Sequence, residues 1–403
     1  MAPKQQERNV DASEAANKYP LKESNQNVPE SEGFFNFTYS EYIKHNEGMR
    51  NWLWARVYLH HVFSKVVEYE RPYHYRFQKF CRSPMLDAFM QRLTLVGSTA
   101  SFIIIVPLMF LVGGKVSRFA SHFSLVLAIS VLLTNFFKDL LCLSRPAFPV
   151  ERIDLVLKHS QEFGFPSCHT FLAVALGRVT MSYFFGPGTL DFEHLALAKT
   201  TLLLFLLAIV ISRIYCGMHS LLDVLGGAIL GWVTSEFYVV AVPYIETSMA
   251  NTPQFSLFFV LTIASCLVIG FILPDPAWHG CPCFKDTCRV IGVIIAAPVS
   301  RANLCANPLS KIHSVVLPFP NSLIDMFIRI LICGATLGTF DLVIHPMLKK
   351  TVFYYVPPEK YEKNQDCRLE RMSASVYCEV FKFFMIIYLS SNTIPRLVTA
   401  LSL

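Results

Sequence analysis

The sequence has little charge. Of its 403 residues, only 16% are Asp, Glu, Lys or Arg, against about 25% in typical soluble proteins. Apolar residues make up 53% of the chain, and the mean hydropathy is +0.43. Soluble cores of this size cannot bury so many apolar side chains, so the composition excludes a soluble globular protein and predicts a polytopic membrane protein.

Other features are missing as well. The opening stretch MAPKQQERNV has no apolar core, so we expect no cleavable signal peptide. The alternation of apolar and polar residues that builds a membrane β-barrel is also missing. The net charge of +6 is too small to predict binding of nucleic acid. A mild positive excess instead suits contact with anionic membrane lipids.

The charges that do occur are concentrated near the N-terminus. Residues 1–92 carry 24 charged side chains, and the other 311 residues carry only 40. Residues 1–33 are polar throughout and are predicted to form a disordered tail. Residues 34–91 mix aromatic and basic side chains, which is typical of an amphipathic region beside the membrane.

The apolar runs predict an all-α polytopic membrane protein, a bundle of transmembrane helices. About 20 residues are needed to cross the bilayer as a helix. We predict eight spans, or nine if the short run Val290–Val299 also crosses. The other runs are Leu93–Val112, Phe119–Phe137, Thr170–Phe185, Thr201–Ile211, Leu221–Ile245, Phe255–Leu273, Leu323–Leu348 and Val376–Leu397.

Three polar clusters stand at the ends of these spans, where ionisable groups are costly and call for an explanation. The first follows the second span and contains Lys138, Arg145 and Pro146. Proline ends the helix, and the two cations lie about two helical turns apart. They either meet one anion at the membrane edge or simply anchor a helix end.

The second cluster opens the third span with Pro166, Ser167, Cys168 and His169. Proline and serine before an apolar run indicate the start of a helix. The free N–H groups of a helix start bind phosphate readily. Ser167 either caps the helix or donates to an anion, and His169 in the first turn is placed to exchange protons.

The third cluster joins the fourth and fifth spans and contains Arg213, His219 and Asp223. His219 and Asp223 are four residues apart and share one helix face, so the carboxylate can hold one ring nitrogen of His219. Arg213 offers a planar fork for phosphate oxygens. The alternative is a buried His–Asp pair that only stabilises a helix start.

The order of the spans brings the three clusters to one face of the membrane. Together they supply a Lys, two Arg, a Ser, two His and an Asp, which suits hydrolysis of a phosphomonoester. His219 would attack phosphorus and His169 would protonate the leaving alkoxide. No cluster of carboxylates suited to magnesium accompanies them, so we predict metal-independent chemistry without a cofactor.

The three segments resemble the tripartite signature of the type 2 phosphatidic acid phosphatase superfamily. Its spacings match Lys138 with Arg145-Pro146, Pro166-Ser167 with His169, and Ser212-Arg213 with His219 and Asp223. The resemblance implies a six-helix phosphatase core, which we assign to residues 92–275, with additional transmembrane helices at 276–403. The phosphate-binding and catalytic residues that it implies are Lys138, Arg145, Ser167 and Arg213 for phosphate, His219 as nucleophile, Asp223 as its orienting partner and His169 as acid.

One position departs from that pattern. Cys168 stands where many members of the superfamily have Gly. Its backbone N–H remains available to the phosphate, so we keep Cys168 among the phosphate-binding residues. Its side chain is expected to crowd the anion.

Within the superfamily, the chain is most similar to the sphingosine-1-phosphate phosphatases, also called long-chain-base phosphate phosphatases. That branch implies a multi-pass enzyme of the endoplasmic reticulum membrane with a luminal active site. It implies dephosphorylation of sphingoid base 1-phosphates, through a phosphohistidine, in sphingolipid metabolism. The matching stretches are Lys138-Asp139, Cys142-Leu143, Arg145-Pro146, Phe163 to Ser167 and Ser212 to His219.

Two other functions remain open. One is a lipid phosphate phosphatase of broad specificity that acts on phosphatidic or lysophosphatidic acid. The other is a transporter that uses the cations only to bind a phosphorylated lipid. The oligomeric state and the preferred sphingoid base are not predicted by the sequence.

The orientation signals conflict. Lys115 and Arg118 lie in the hairpin between the first two spans, and the positive-inside rule places that hairpin in the cytoplasm and the catalytic face in the lumen. The basic N-terminal region does not fit a luminal start.

Two further features have structural explanations. Arg178, inside the third span, is expected to pair with a carboxylate of the bundle or to extend toward the interface. Cys281, Cys283 and Cys288 cluster in a loop, where a turn or a disulfide is favoured over zinc.

Overall fold

The computed structural model describes residues 53–153, 162–185, 192–250, 260–261, 263–265, 283–305, 317–355 and 374–401. All regular secondary structure in these ranges is helical, which confirms the predicted all-α class. The helices are α1 (Leu53–Cys81), α2 (Pro84–Val96), α3 (Thr99–Val112), α4 (Gly114–Leu141), α5 (Cys168–Phe184), α6 (Phe192–Tyr215), α7 (Leu221–Ala250), α8 (Cys283–Cys305), α9 (Leu323–Thr339), α10 (His345–Tyr355), α11 (Ala374–Tyr388) and α12 (Ile394–Ala400).

The chain is a membrane protein. Within the described ranges, four segments are long and apolar enough to cross a bilayer: Gly114–Leu141, His194–Tyr215, Leu221–Tyr244 and Leu323–Tyr355. The bent pair α2 and α3 makes a fifth if it is one span. The predicted tail at 1–33 and most of the predicted run Phe255–Leu273 lie outside the described residues.

The predicted span Leu93–Val112 is not a single helix, because two helices meet in this stretch. α2 ends at Val96, α3 begins two residues after Gly97, and the pair is bent by 57°. Ser98 starts α3, and its hydroxyl accepts a hydrogen bond from the backbone N–H of Ser101 at 3.3 Å. Serine is a strong N-cap, so the Gly-Ser pair breaks an otherwise apolar run.

The short run Val290–Val299 belongs to a much longer helix. α8 has 23 residues and packs against α4 and α11. Ile291, Ile294 and Ala296 are buried. At Gly292, a Cβ atom would lie only 2.2 Å from the carbonyl oxygen of Val380, so glycine permits the close approach of α8 to α11.

The main apolar core lies between α3, α4, α5 and α8. Phe119, Val131, Phe171 and Ile291 are among its buried members. On α6 and α7, by contrast, many large apolar side chains point away from the bundle. Because exposure of many large apolar side chains to water is unfavourable, these faces are suited to contact lipid. They include Leu203, Leu204, Trp232 and Phe237.

Helix α1 holds the C-terminal end of α4. The Arg56 guanidinium donates to the backbone carbonyls of Asp139 and Leu140, both at 2.6 Å. A ring nitrogen of His60 lies 2.7 Å from the carbonyl oxygen of Leu141. These contacts satisfy carbonyls that the end of a helix leaves without intrahelical partners.

The same helix also holds the junction between α6 and α7. His74 bonds the carbonyl oxygen of Ile214 at 2.6 Å. The carboxylate of Glu70 accepts from the N–H groups of Leu221 and Leu222, at 2.9 and 3.2 Å. An acid at a helix N-terminus is favourable because of both the free donors and the helix dipole. Helix α1 therefore braces the ends of three helices on one side of the bundle.

Two predictions about single residues can be compared with the structure. Arg178 forms the expected pair with a bundle carboxylate, because its guanidinium bonds Glu236 of α7 at 2.6 and 3.1 Å. Cys283 and Cys288 are buried on α8 rather than in a loop. Cys281 lies outside the described residues.

Candidate active site

The first cluster sits where α4 ends. Lys138 lies in the last turn of α4, and Cys142 closes the helix in the left-handed region, with φ of 49°. The N–H of Cys142 returns to the carbonyl oxygen of Lys138 at 2.8 Å. Arg145 follows in the loop. Both cations are almost completely buried, with side-chain exposure of 2% each.

The second cluster begins α5, as predicted. Ser167 is the N-cap residue, and its N–H donates to the carbonyl oxygen of Asp223 at 2.9 Å. Its hydroxyl accepts from the Thr170 hydroxyl at 3.1 Å. Cys168 and His169 occupy the first turn of α5. The start of α5 is thereby tied to the start of α7.

His169 packs against the break between α2 and α3. A Cβ atom at Gly97 would stand 2.9 Å from Cδ2 of the His169 ring, which is closer than real side chains approach. Glycine at position 97 therefore leaves room for the imidazole. The bend in the first predicted span thus positions a residue of the site.

The third cluster is a tight turn between α6 and α7. Gly217 has φ of +65°, a conformation that costs glycine nothing. The turn brings the N–H of His219 back to the carbonyl oxygen of Arg213, at 3.3 Å. Arg213 in the last turn of α6 and His219 thus face the same space.

The surroundings of His219 determine which ring nitrogen carries the proton. Nε2 lies 3.1 Å from Nη1 of Arg145. A guanidinium only donates, so Nε2 accepts and bears a lone pair. Nδ1 then carries the hydrogen and faces Oδ2 of Asp223 at 3.6 Å. Burial, and then the charges of Arg145, Arg213 and Lys138, hold the pKa of His219 well below 6.5, so the ring is neutral.

Asp223 is held rigidly behind this ring. Its Oδ2 accepts from the N–H of Ser220 at 2.8 Å, and its own N–H donates to the Ser220 hydroxyl at 3.1 Å. This reciprocal pair is the capping arrangement that starts a helix. The carboxylate therefore keeps one orientation toward His219.

A glutamate that sequence reasoning did not single out pairs with both cations. Oε2 of Glu162 lies 2.6 Å from Nζ of Lys138 and 3.6 Å from a terminal nitrogen of Arg145. The carbonyl oxygen of Glu162 also accepts from Nε of Arg145 at 2.9 Å. The carboxylate thus contacts two of the groups that were predicted to bind phosphate.

A polar cavity collects most of the predicted residues. It has a volume of about 30 Å³, roughly one water molecule. Six of the eight predicted residues line it: Lys138, Arg145, Cys168, His169, Arg213 and His219. The other two, Ser167 and Asp223, stand behind this lining and position it through the contacts described above.

The remaining lining was not predicted. It includes Gly97, Asn135, Glu162 and Asp286. Glu162 had a local signal, since it lies two residues before Gly164 at the entrance to the second cluster. Asp286 had none, because it comes from α8, more than sixty residues after the last motif. Within the described part of the chain, no group of three or more His, Cys, Asp or Glu side chains has the geometry of a metal site.

This arrangement is chemically distinctive. Three buried cations and a helix N-terminus converge on one small space with a neutral imidazole whose Nε2 accepts a hydrogen bond from one of those cations, Arg145. An anion with several oxygens would satisfy the cations and N–H groups together. A nucleophile with a carboxylate behind it is the arrangement that covalent catalysis requires.

Comparison with known proteins agrees with this chemistry. The PAP2 superfamily model matches residues 119–246. The chain is 25% identical over 363 residues to a dihydrosphingosine 1-phosphate phosphatase of Schizosaccharomyces pombe, covering 88% of this chain and 83% of that protein. It is 28% identical over 252 residues to a dihydrosphingosine 1-phosphate phosphatase of Saccharomyces cerevisiae, covering 62% and 61%.

A third relative is lipid phosphate phosphatase delta of Arabidopsis thaliana, 28% identical over 229 residues that cover 55% of this chain and 52% of that protein. The matches to the second and third relatives thus span less than two thirds of their length. No solved structure matches the chain. The matched segment contains all three clusters. This PAP2 superfamily domain, together with the phosphatases among the relatives, indicates that the chain is a phosphoric monoester hydrolase.

Proposed function

We propose that the chain removes the phosphate from sphingoid base 1-phosphates, namely the 1-phosphates of sphingosine, dihydrosphingosine and phytosphingosine. The reaction proceeds without metal, through a phosphohistidine on His219, and serves sphingolipid metabolism. The observation that carries the proposal is the position of His219, with Nε2 among buried cations and Asp223 behind Nδ1. The two yeast relatives are dihydrosphingosine 1-phosphate phosphatases, which favours this substrate class.

The phosphate is bound by charge and by backbone donors. Lys138, Arg145 and Arg213 neutralise its oxygens, and the start of α5 offers the N–H group of Cys168, while the N–H of Ser167 is held by the carbonyl oxygen of Asp223. In the transition state, the charge spreads over three equatorial oxygens, so fixed cations stabilise it more than they stabilise the free ester.

The first chemical step forms the phosphohistidine. The lone pair on Nε2 of His219 attacks phosphorus, and the bond from phosphorus to the alkoxide oxygen breaks. His169 gives its proton to that oxygen, so the sphingoid base leaves as an alcohol. Asp223 stabilises the positive charge that develops on the His219 ring.

The second step returns the enzyme to its starting state. His169, now neutral, takes a proton from a water molecule as the hydroxide attacks phosphorus. The bond from phosphorus to Nε2 breaks, inorganic phosphate is released, and His219 is neutral again. Neither step changes the oxidation state of an atom, so the reaction requires no oxidant or reductant.

The membrane arrangement belongs to the same proposal. The enzyme has eight or nine transmembrane helices and a six-helix phosphatase core at 92–275, with further helices at 276–403. It resides in the endoplasmic reticulum membrane, with its active site on the luminal face. The lipid-facing apolar surfaces of α6 and α7 support a core embedded in the bilayer.

The test uses purified full-length protein in detergent with EDTA. Phosphate release is followed from sphingosine-1-phosphate and from phosphatidic acid, with His219→Ala as control. We expect phosphate release from sphingosine-1-phosphate. This release should persist in the presence of EDTA and should be absent in the His219→Ala variant. Equal release from both lipids would favour a broad lipid phosphate phosphatase, in line with the name of the Arabidopsis relative. Release from neither lipid by folded protein would refute the proposal and favour a transporter.

A further inference from the structure

The carboxylate of Glu162 occupies the cations that the substrate phosphate needs. It is 2.6 Å from Lys138 and 3.6 Å from Arg145, and its side chain is only 14% exposed. A phosphate that binds these cations must therefore displace it. A carboxylate left in such a buried place without a positive partner is strongly unfavourable.

A second and larger cavity adjoins the polar one. It has a volume of about 290 Å³, near the lower limit of ordinary ligand pockets. Its walls come mainly from α3, α4, α8 and α11, and they are largely apolar, including Phe102, Leu127 and Val293. Three residues line both cavities, namely Val131, Glu162 and Asp286.

The shared lining sets the order of chemical groups that the two cavities accept. A phosphate lies at the cations, an alkyl chain lies in the apolar cavity, and the atoms between them pass the two carboxylates. A sphingoid base phosphate has this order, because its ammonium group stands on the second carbon, between the phosphate ester and the chain. Phosphatidic acid has no ammonium group there.

We propose that Glu162, assisted by Asp286, recognises the ammonium group of the substrate, and that the apolar cavity holds its alkyl chain. This inference rests on the proposed function. Substrate binding replaces the ion pairs of Glu162 with Lys138 and Arg145: the phosphate takes both cations, and the displaced Glu162 carboxylate takes the ammonium. A lipid without the amine supplies the phosphate for the two cations but no ammonium group for Glu162. The negative charge of the displaced carboxylate is then not balanced.

The C-terminal helices hold the second carboxylate in place. Asp286 on α8 pairs with Arg289 at 2.7 Å, and Arg289 pairs with Glu379 of α11 at 3.0 Å. These helices lie beyond the segment that the superfamily model matches. They therefore add a substrate-selecting wall to a shared phosphatase core.

The first test compares two substrates of equal chain length in one protein. Sphingosine-1-phosphate carries the ammonium, and octadecyl phosphate lacks it. We expect Glu162→Gln to lower the ratio of their kcat/KM values at least tenfold, since the neutral amide cannot pair with the ammonium. The matched control is Glu236→Gln, because Glu236 also pairs with an arginine but lies outside both cavities. In Glu236→Gln, the ratio of the two kcat/KM values should equal that of the wild type.

The outcomes separate the two proposals. A wild-type protein that releases no phosphate from either lipid refutes the proposed function itself. If wild type hydrolyses both lipids but Glu162→Gln leaves the ratio unchanged, the phosphatase stands and ammonium recognition by Glu162 is refuted. A ratio is insensitive to partial misfolding, because both substrates are measured on the same preparation.

The second test concerns the alkyl chain. Leu127→Trp should fill part of the apolar cavity and lower kcat/KM for an eighteen-carbon substrate at least tenfold relative to an eight-carbon analogue. Leu133→Trp is the matched control, since Leu133 is a partly buried leucine of the same helix outside that cavity. An unchanged chain-length preference in Leu127→Trp, or an equal change in both variants, would overturn the assignment of the cavity.

Discussion

Gly97→Ala tests whether the bend between α2 and α3 positions His169, the proposed catalytic acid. The new Cβ atom would lie 2.9 Å from Cδ2 of His169, and ordinary contact begins at 3.4 Å, so the ring must retreat by about 0.5 Å. A misplacement of about 1 Å can cost about a hundredfold in rate, so we expect kcat to fall about tenfold. Gly97 has φ of −86°, so alanine introduces no backbone strain and should leave the thermal midpoint unchanged or raised.

The choice of leaving group isolates the acid. Hydrolysis of an alkyl phosphate needs a proton on the departing oxygen, whereas an aryl phosphate leaves as a much less basic phenolate. If Gly97→Ala displaces His169, phosphate release from sphingosine-1-phosphate falls about tenfold and release from an aryl phosphate falls far less. Both are measured as kcat in the same detergent preparation.

Gly334→Ala provides the matched control. Nothing lies within 4 Å of a Cβ atom at position 334 in α9, so this variant should keep wild-type kcat. Wild-type kcat in Gly97→Ala, or an equal loss with both leaving groups, would refute the reasoning that Gly97 places His169 as an acid.

Three other variants test the supports of the site. Asp223→Asn should lower kcat by about 10²–10⁴, because an amide cannot stabilise the charged His219 ring; a kcat within tenfold of wild type would contradict this. Glu70→Ala removes an acceptor from the first N–H groups of α7 and should cost about 1 kcal/mol of unfolding free energy, measured as a lower thermal midpoint. Burial lowers the pKa of His74, so the unfolded chain takes up a proton more readily and stability should fall as the pH drops below 6.5. His74→Gln can still donate to Ile214 and should flatten that dependence of the thermal midpoint on pH; an unchanged slope would contradict it.

Long apolar runs predicted most helices well. The run Phe119–Phe137 lies inside α4, and Leu221–Ile245 nearly coincides with the membrane-capable part of α7. Hydropathy predicts helices here because each backbone N–H and C=O group in lipid must form its hydrogen bond within its own helix. It did not predict the break within Leu93–Val112, where the Gly97-Ser98 pair contains a C-cap and an N-cap inside an apolar stretch.

The site was predictable in composition but not in arrangement. The order of the spans predicted that Lys138, Arg145, Arg213 and His219 lie on one face of the membrane, and all four line one cavity. That Ser167 and Asp223 stand behind the lining depends on how α5 and α7 dock, which no local pattern encodes. The bracing role of α1 was also missed, since an amphipathic stripe does not indicate which polar groups cap other helices.

By itself, the sequence determined the membrane environment, the helical class and the residue types of the site. These follow from hydropathy and from motif spacings, which act over a few helical turns. Only the tertiary structure decided that the Glu162 carboxylate lies on the cations Lys138 and Arg145 and that Asp286 joins it from α8. Glu162 is 24 positions from Lys138, and Asp286 lies more than a hundred positions after both. Such contacts depend on how loops and helices pack, and packing is set by the shapes of all the partners together.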